Sequence, residues 1–222
     1  MTGMEQQLKE EILDTLYWDN RVNASNINVE VKETEAILSG SVFSHTAGRA
    51  AEADALNTYG IHSVKNALTI QYQVPSEPSD SAIQSMVHKI CLWNTVIDES
   101  KIHLEVDKGI VTLKGTVSSL WEKVRAEDLV DDIIGVVGVI NELAVVPLES
   151  YRDELIAKRI THALEKSVSI EIDSVNVKVE HGRVTLSGSV RSNFARDRAA
   201  DIAVGTAGVI LVENLITVKP TS

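Results

Sequence analysis

The side chains best able to do chemistry in this chain are its histidines and its cysteine, and their spacing matches no familiar reactive site. The six histidines are His45, His62, His88, His103, His162 and His181. No two of them have the H-x-x-x-H spacing that places two ligands on one helix face, and no C-x-x-C pair exists. Phosphate-binding loops, dinucleotide fingerprints and the G-x-S-x-G elbow are also absent. The sequence therefore predicts a protein that is not an enzyme and uses no metal or other cofactor.

Two further groups of reactive side chains have structural interpretations. Asp128, Asp131 and Asp132 crowd one helical segment, and we interpret them as a solvated helix face in preference to a cation site. Cys91 follows Ile83 and Val87 at helical spacing. We therefore expect Cys91 to be a buried apolar residue, as free cysteines usually are, and a single cysteine excludes an internal disulfide.

The elements that position these residues form a threefold internal repeat. One phrase occurs at Ala36–Val42, Val111–Val117 and Val184–Val190, and its central glycines are 75 and 73 residues apart. Upstream of each copy lies an apolar i, i+4, i+8 stripe that predicts an amphipathic helix. Downstream, a serine precedes a second helical stretch at a position suited to capping. A fixed period of this length indicates one small unit made three times.

Each unit is predicted to contain helix, strand, strand, helix and strand, with the middle two strands forming a hairpin. The fold class is therefore α+β, with two helices packed on a three-stranded mixed sheet in every unit. We expect three tandem domains, at residues 4–74, 80–147 and 152–219, joined by short polar connectors. Asp107-Lys108-Gly109 and Glu180-His181-Gly182 place glycine in the hairpin turn, whereas the first copy has none there and should turn differently.

Two residue types recur at equivalent positions in all three copies. Gly40, Gly115 and Gly188 lie in or at the end of a strand, where glycine indicates a bulge or close backbone packing. Asn66, Asn141 and Asn214 enter the last strand of each unit. These asparagines either hydrogen-bond local backbone or supply an amide to a ligand groove or to a weakly held cation such as potassium.

Charge is distributed unevenly along the chain, whose net charge is −11. The first repeat has 5 basic and 10 acidic residues and the second has 6 and 11, but the third has 10 and 9. Two strongly acidic repeats argue against nucleic-acid binding. The candidate site that binds an anionic surface lies in the third repeat and consists of Arg183, Arg191, Arg196 and Arg198. The alternative is a set of solvated arginines that balance nearby acids.

Trp18 and Trp93 occupy equivalent positions at the end of the first helix in repeats one and two. We favour a role for them as wedges between neighbouring repeats. The alternative is a membrane anchor, since tryptophan is suited to any boundary between apolar and aqueous surroundings.

The tripled glycine phrase, in register with both helices and the recurring asparagines, resembles the BON (bacterial OsmY and nodulation) domain. The resemblance covers essentially the whole chain as three copies, and Leu16-Tyr17-Trp18-Asp19 adds to it. It implies a stress-related protein, in an osmotic or envelope response, that binds phospholipid or a membrane surface. The alternatives are a soluble module that binds other proteins or acts like a chaperone, and a potassium sensor.

The first residues lack the basic and apolar regions of a secretory signal, and no run approaches the ~20 apolar residues needed to span a bilayer. We therefore expect no transmembrane segment and a cytoplasmic location, or a periplasmic one if a signal peptide has been removed.

Overall fold

A computed structural model describes residues 3–71, 78–94, 98–167 and 175–219. In repeat one, α1 (Gly3–Trp18) and a 3-10 turn (Ala24–Asn26) precede β1 (Ile27–Lys32), β2 (Glu35–Val42), α2 (His45–Asn57) and β3 (Ser63–Ile70). Repeat two has α3 (Asp80–Trp93), a 3-10 turn (Glu99–Lys101), β4 (Ile102–Asp107), β5 (Ile110–Val117), α4 (Leu120–Asp131) and β6 (Gly138–Val145). Repeat three has α5 (Asp153–Glu165), β7 (Val175–Glu180), β8 (Arg183–Val190), α6 (Asn193–Val204) and β9 (Leu211–Val218).

Each repeat builds its own three-stranded mixed sheet, in the orders β1-β2-β3, β4-β5-β6 and β7-β8-β9. In repeat one, β1 is antiparallel to β2, with Val29 opposite Leu38, and β3 is parallel to β2. Repeat three has the same register, with Val177 opposite Leu186. The predicted α+β fold of three αββαβ units is confirmed.

Contacts along the chain define two compact units. The first takes in residues up to 90 with 104–112 and 128–140, and the second takes in 91–103, 113–127 and the residues from 141 onward. The second repeat therefore contributes to both units, although its sequence repeats as one.

The helices bury the stripes that their spacing predicts. The first helix of each repeat places one apolar residue per turn inside the protein: Leu8, Ile12 and Leu16; Ile83, Val87 and Cys91; Ile156, Ile160 and Leu164. Cys91 is buried, as expected from its helical spacing.

Alanines on the second helices, such as Ala51 and Ala199, are fully buried, which allows the helix to lie close to the sheet. Serine caps begin these helices, with Ser44 Oγ accepting from the Ala47 N–H at 3.1 Å and Ser192 Oγ from the Ala195 N–H at 3.2 Å.

The recurring strand glycines have a backbone that other residues avoid. Gly40, Gly115 and Gly188 have φ angles of +110°, +128° and +122°. A Cβ atom built on Gly40 would fall on the carbonyl oxygen of Asn26, and one on Gly115 would fall on that of Lys101. The glycine thus lets the 3-10 turn before the first strand lie directly on the central strand of the sheet.

The hairpin turns differ between repeats as the sequence predicts. Lys108 and Gly109 both have positive φ, as do His181 and Gly182, and this pair of angles defines a type I′ turn. In the hairpin turn of repeat one, Glu33 has positive φ and Thr34 does not.

Candidate functional site

The recurring asparagines connect the last strand of each repeat to its second helix. The Asn141 side chain donates to the Lys123 carbonyl at 2.8 Å and accepts from the Leu143 N–H at 3.2 Å. Asn66 makes the same two contacts with Gly48 and Leu68, and Asn214 with Arg196 and Ile216. Their amides are therefore engaged with backbone in all three copies.

A second recurring contact, between the first helix and the hairpin turn, was not predicted from the sequence. The Asp80 carboxylate accepts the N–H groups of Lys108 and Gly109 at 2.9 and 2.8 Å. Asp153 does the same for His181 and Gly182, and these hydrogen bonds hold its pKa below the usual value. In repeat one, Glu5 accepts from the Glu33 N–H at 3.3 Å. An acidic residue at one position of the first helix in all three copies was the available signal.

The four candidate arginines do not form one cluster. Arg183 begins β8, whereas Arg191 follows its last residue. Eight strand residues at about 3.3 Å each place these two arginines roughly 25 Å apart. Arg191 and Arg198 are exposed at the start and in the middle of α6. The Arg196 side chain is only 30% exposed, and its Nε donates to Asp197 Oδ1 at 3.1 Å.

An aromatic side chain lies among the α6 arginines. Phe194, in the first turn of α6, is 60% exposed. Because Arg198 is four residues further along the helix, the two side chains share one face. We call Arg191, Phe194 and Arg198 the α6 patch. It combines positive charge with an apolar ring, a composition that suits the boundary between water and a lipid headgroup layer.

The interpretation of the two tryptophans as wedges between repeats is wrong. Trp18 is 74% exposed and Trp93 is 88% exposed. Trp18 has an edge-to-face contact with the neighbouring Tyr17, whose ring centroid is 5.6 Å away. Both helices therefore end in an aromatic side chain that faces solvent.

Of the aspartates at the end of α4, Asp132 is exposed as the sequence suggests, but Asp131 is not part of a solvated face. Asp131 is 3% exposed. Its Oδ1 lies 2.5 Å from His45 Nδ1, and its Oδ2 accepts from Arg49 Nη1 at 3.0 Å. The neighbouring Asp132 accepts from the Thr46 hydroxyl. The prediction failed for Asp131 because its partners lie in the preceding repeat, more than eighty residues away.

One carboxylate in repeat one, that of Asp54, is half-buried beside a second carboxylate. Asp19 pairs with Arg21 through Oδ2 and Nη2 at 2.5 Å, and this hydrogen bond lowers the pKa of Asp19 to about 2. Asp54 Oδ1 lies 3.8 Å from the same guanidinium, and within the described residues its buried Oδ2 has no hydrogen-bond partner. Burial, together with the nearby Asp19 carboxylate, raises the pKa of Asp54 to about 6.

The raised pKa of Asp54 predicts that stability falls as pH rises from about 4 to about 6, because the folded protein holds this proton more tightly than the unfolded chain does. The Asp19 effect has the opposite sign and is complete below this range. Asp54→Asn should remove the fall and increase the free energy of unfolding at pH 7 by about 1 kcal/mol, less than the full shift because the carboxyl group is partly solvated.

Urea unfolding at pH 4, 5, 6 and 7 tests this expectation, with Asp14→Asn on the exposed face of α1 as the matched control. Parallel pH profiles for the wild type and Asp54→Asn would contradict it.

Metal-binding clusters and membrane-spanning helices are both absent from residues 3–71, 78–94, 98–167 and 175–219. These ranges hold no group of three or more histidine, cysteine or acidic side chains arranged to bind a metal ion. No helix within them is both long enough and apolar enough to cross a membrane.

Known proteins to which this chain is similar include one from Escherichia coli and one from Chlamydia trachomatis. Over 205 residues the chain is 27% identical to osmotically-inducible protein Y of Escherichia coli (strain K12), covering 90% of this chain and 98% of that protein. Among solved structures it is similar to the C-terminal domain of CdsD, the structural protein of the type III secretion system of Chlamydia trachomatis. That likeness has 14% identity and a TM-score of 0.27, and covers 96% of this chain and 98% of the other.

The family model of the BON domain matches the chain three times, at residues 5–72, 79–147 and 152–220. These matches take in both helices and all three strands of every repeat. The chain belongs to the BON domain family, as a tandem array of three copies.

Proposed function

We propose that this protein binds anionic phospholipid surfaces through the α6 patch, as a non-enzymatic component of an osmotic stress response. The observation that carries the proposal is the exposed Phe194 ring among arginines in the one repeat that is not acidic. Arginine near an anionic surface contributes about 1 kcal/mol per charge, and an adjacent ring adds apolar insertion. The proposal applies to an anionic membrane facing either the cytoplasm or the periplasm.

The similarity to osmotically-inducible protein Y supports the stress context, because that relative spans nearly the same length as this chain. Trp18 and Trp93 support a membrane-surface role, since exposed aromatic rings at helix ends insert readily at the level of lipid headgroups.

Vesicle flotation of the full chain tests the proposal. Wild-type protein should float with phosphatidylglycerol–phosphatidylcholine vesicles and not with pure phosphatidylcholine, and added salt should weaken binding. Arg191→Glu with Arg198→Glu changes the patch by four units of charge. At about 1 kcal/mol per charge, affinity should fall roughly a thousandfold.

Two controls come from the chain itself. Arg183→Glu lies at the far end of β8 and should retain most of the binding, whereas Phe194→Ala should weaken binding more than Trp121→Ala at the equivalent place in acidic repeat two. Equal binding to neutral vesicles, or equal loss with Arg183→Glu, would contradict the proposal.

A second candidate function is binding to other proteins through the outer face of the third sheet. On the edge strand β9, Leu211 and Leu215 are 39% and 54% exposed on the same face. Apolar binding of this kind should persist in high salt, so the salt dependence that the flotation experiment measures separates the two functions.

A further inference from the structure

The contact between repeats one and two occurs at the ends of two helices. His45 is the first residue of α2, and Asp131 is the last residue of α4. One carboxylate oxygen of Asp131 contacts His45 Nδ1, and the other accepts a hydrogen bond from Arg49. Both oxygens are therefore bound by side chains of the preceding repeat. Thr46 and Asp132 make a parallel contact beside them.

The charges at this contact are on the wrong ends of their own helices. The positive charge of Arg49 near the N-terminus of α2 and the negative charge of Asp131 at the C-terminus of α4 are each unfavourable toward the local helix dipole. Across the contact the signs reverse, because Asp131 meets the positive end of α2 and Arg49 meets the negative end of α4. The arrangement is therefore favourable only while the two helix ends are together.

Repeats two and three have apolar residues at the same positions. The repeat period places Leu120 at the position of His45, Val124 at that of Arg49 and Val204 at that of Asp131. Leu120 is buried in the apolar core cluster of repeat three, and Val204 packs against the same cluster. One helix-end contact is thus made twice along the chain, first with charges and then with hydrocarbon.

The two versions differ in the cost of separation. When the charged contact opens, Asp131, His45 and Arg49 regain water, which offsets much of the lost attraction. Opening the second contact exposes Leu120, and water offers no compensation for an apolar side chain. The buried residues of α2, including Ala47 and Ala51, belong to the core of repeat one and do not depend on Asp131.

We propose that the junction of repeats one and two is an ion-paired latch that opens without unfolding either repeat, whereas the junction of repeats two and three is apolar and stays closed. The latch makes repeat one the mobile member of the array. Its opening is controlled by ionic strength and by any anion that competes with Asp131 for His45 and Arg49.

Hydrogen exchange of the full chain, read by mass spectrometry, tests the latch with Asp131→Asn. Exchange in residues 45–49 and 128–133 should rise about tenfold, while residues 37–42, 111–117 and 120–124 keep their wild-type rates. Within α4 alone the same change would lower exchange, because it removes a negative charge from a helix C-terminus. A rise therefore reports the lost contact, and Arg49→Met at a half-exposed position should reproduce it more weakly.

The apolar junction supplies a rescue variant. His45→Leu, Arg49→Val and Asp131→Val together copy the residues of repeats two and three into the first junction. This triple variant should regain protection at residues 45–49, and high salt should no longer raise their exchange, whereas the wild type should show a several-fold rise. Unchanged exchange in Asp131→Asn, equal increases in the sheets, or failure of the triple variant to regain protection would each overturn the proposal.

Discussion

Gly115→Ala is expected to lower the free energy of unfolding by about 3–5 kcal/mol, near the upper end of single-substitution effects. At φ +128° alanine is strained in any surroundings, and its Cβ would fall on the backbone carbonyl oxygen of Lys101. That oxygen belongs to the 3-10 turn that leads into β4, so it cannot move away as a flexible side chain could. The sheet of repeat two must then separate from the 3-10 turn, or the backbone of β5 around Gly115 must adopt another conformation.

Gly138→Ala provides the matched control in the same repeat. Gly138 begins β6 and does not have a positive φ, and a Cβ atom added to it would meet no heavy atom within 4 Å. Alanine there should be neutral or slightly stabilising, since it restricts the unfolded chain. Urea unfolding followed by circular dichroism measures both variants, and a loss below about 1 kcal/mol for Gly115→Ala would refute the steric explanation.

Asn141→Ala is expected to lower the free energy of unfolding by about 2–3 kcal/mol. The side chain donates to the Lys123 carbonyl at 2.8 Å and to Glu127 Oε2 at 3.0 Å, and accepts from the Leu143 N–H. Alanine leaves the carbonyl and the N–H without these partners at a half-buried position. The loss should therefore exceed that of an ordinary surface substitution.

Comparison with Asn66→Ala separates the effect of burial on the free energy of unfolding from the effect of the hydrogen bonds. Asn66 makes the equivalent hydrogen bonds, to Gly48, Glu52 and Leu68, but it is exposed, so water can replace the amide. We expect a loss of only about 1 kcal/mol. Equal losses for the two variants, measured in the same unfolding experiment, would show that burial of the asparagine does not set the size of the effect.

The sequence predicted the architecture of each repeat because its signals are local. Leu8, Ile12 and Leu16 lie one turn apart and can bury only one helix face, and Gly109 permits the two-residue turn that sets the hairpin register. The repeat also identified Gly115 by comparison with its two counterparts. It left the role of Asn141 open, because a side-chain amide can bond backbone or ligand and only the position of α4 distinguishes the two.

The sites at the repeat surface were predicted less well. Arg183 and Arg191 are close in sequence, but a straight strand between them holds them apart. The tryptophans were expected to be covered by a neighbouring repeat, yet Trp18 and Trp93 face solvent. Phe194 completes the α6 patch, although nothing in its local sequence distinguishes it from a core aromatic residue.

The amino-acid sequence by itself determined that the chain is three αββαβ units, because helix and strand periods specify which face of each element turns toward its own core. Only the tertiary structure decided what each unit presents to its surroundings. Asp131 is buried because His45 and Arg49 of another repeat meet both its oxygens, and Leu120 lies in the core cluster of repeat three. No local period encodes such a pairing, since its partners lie in different repeats, more than eighty residues apart.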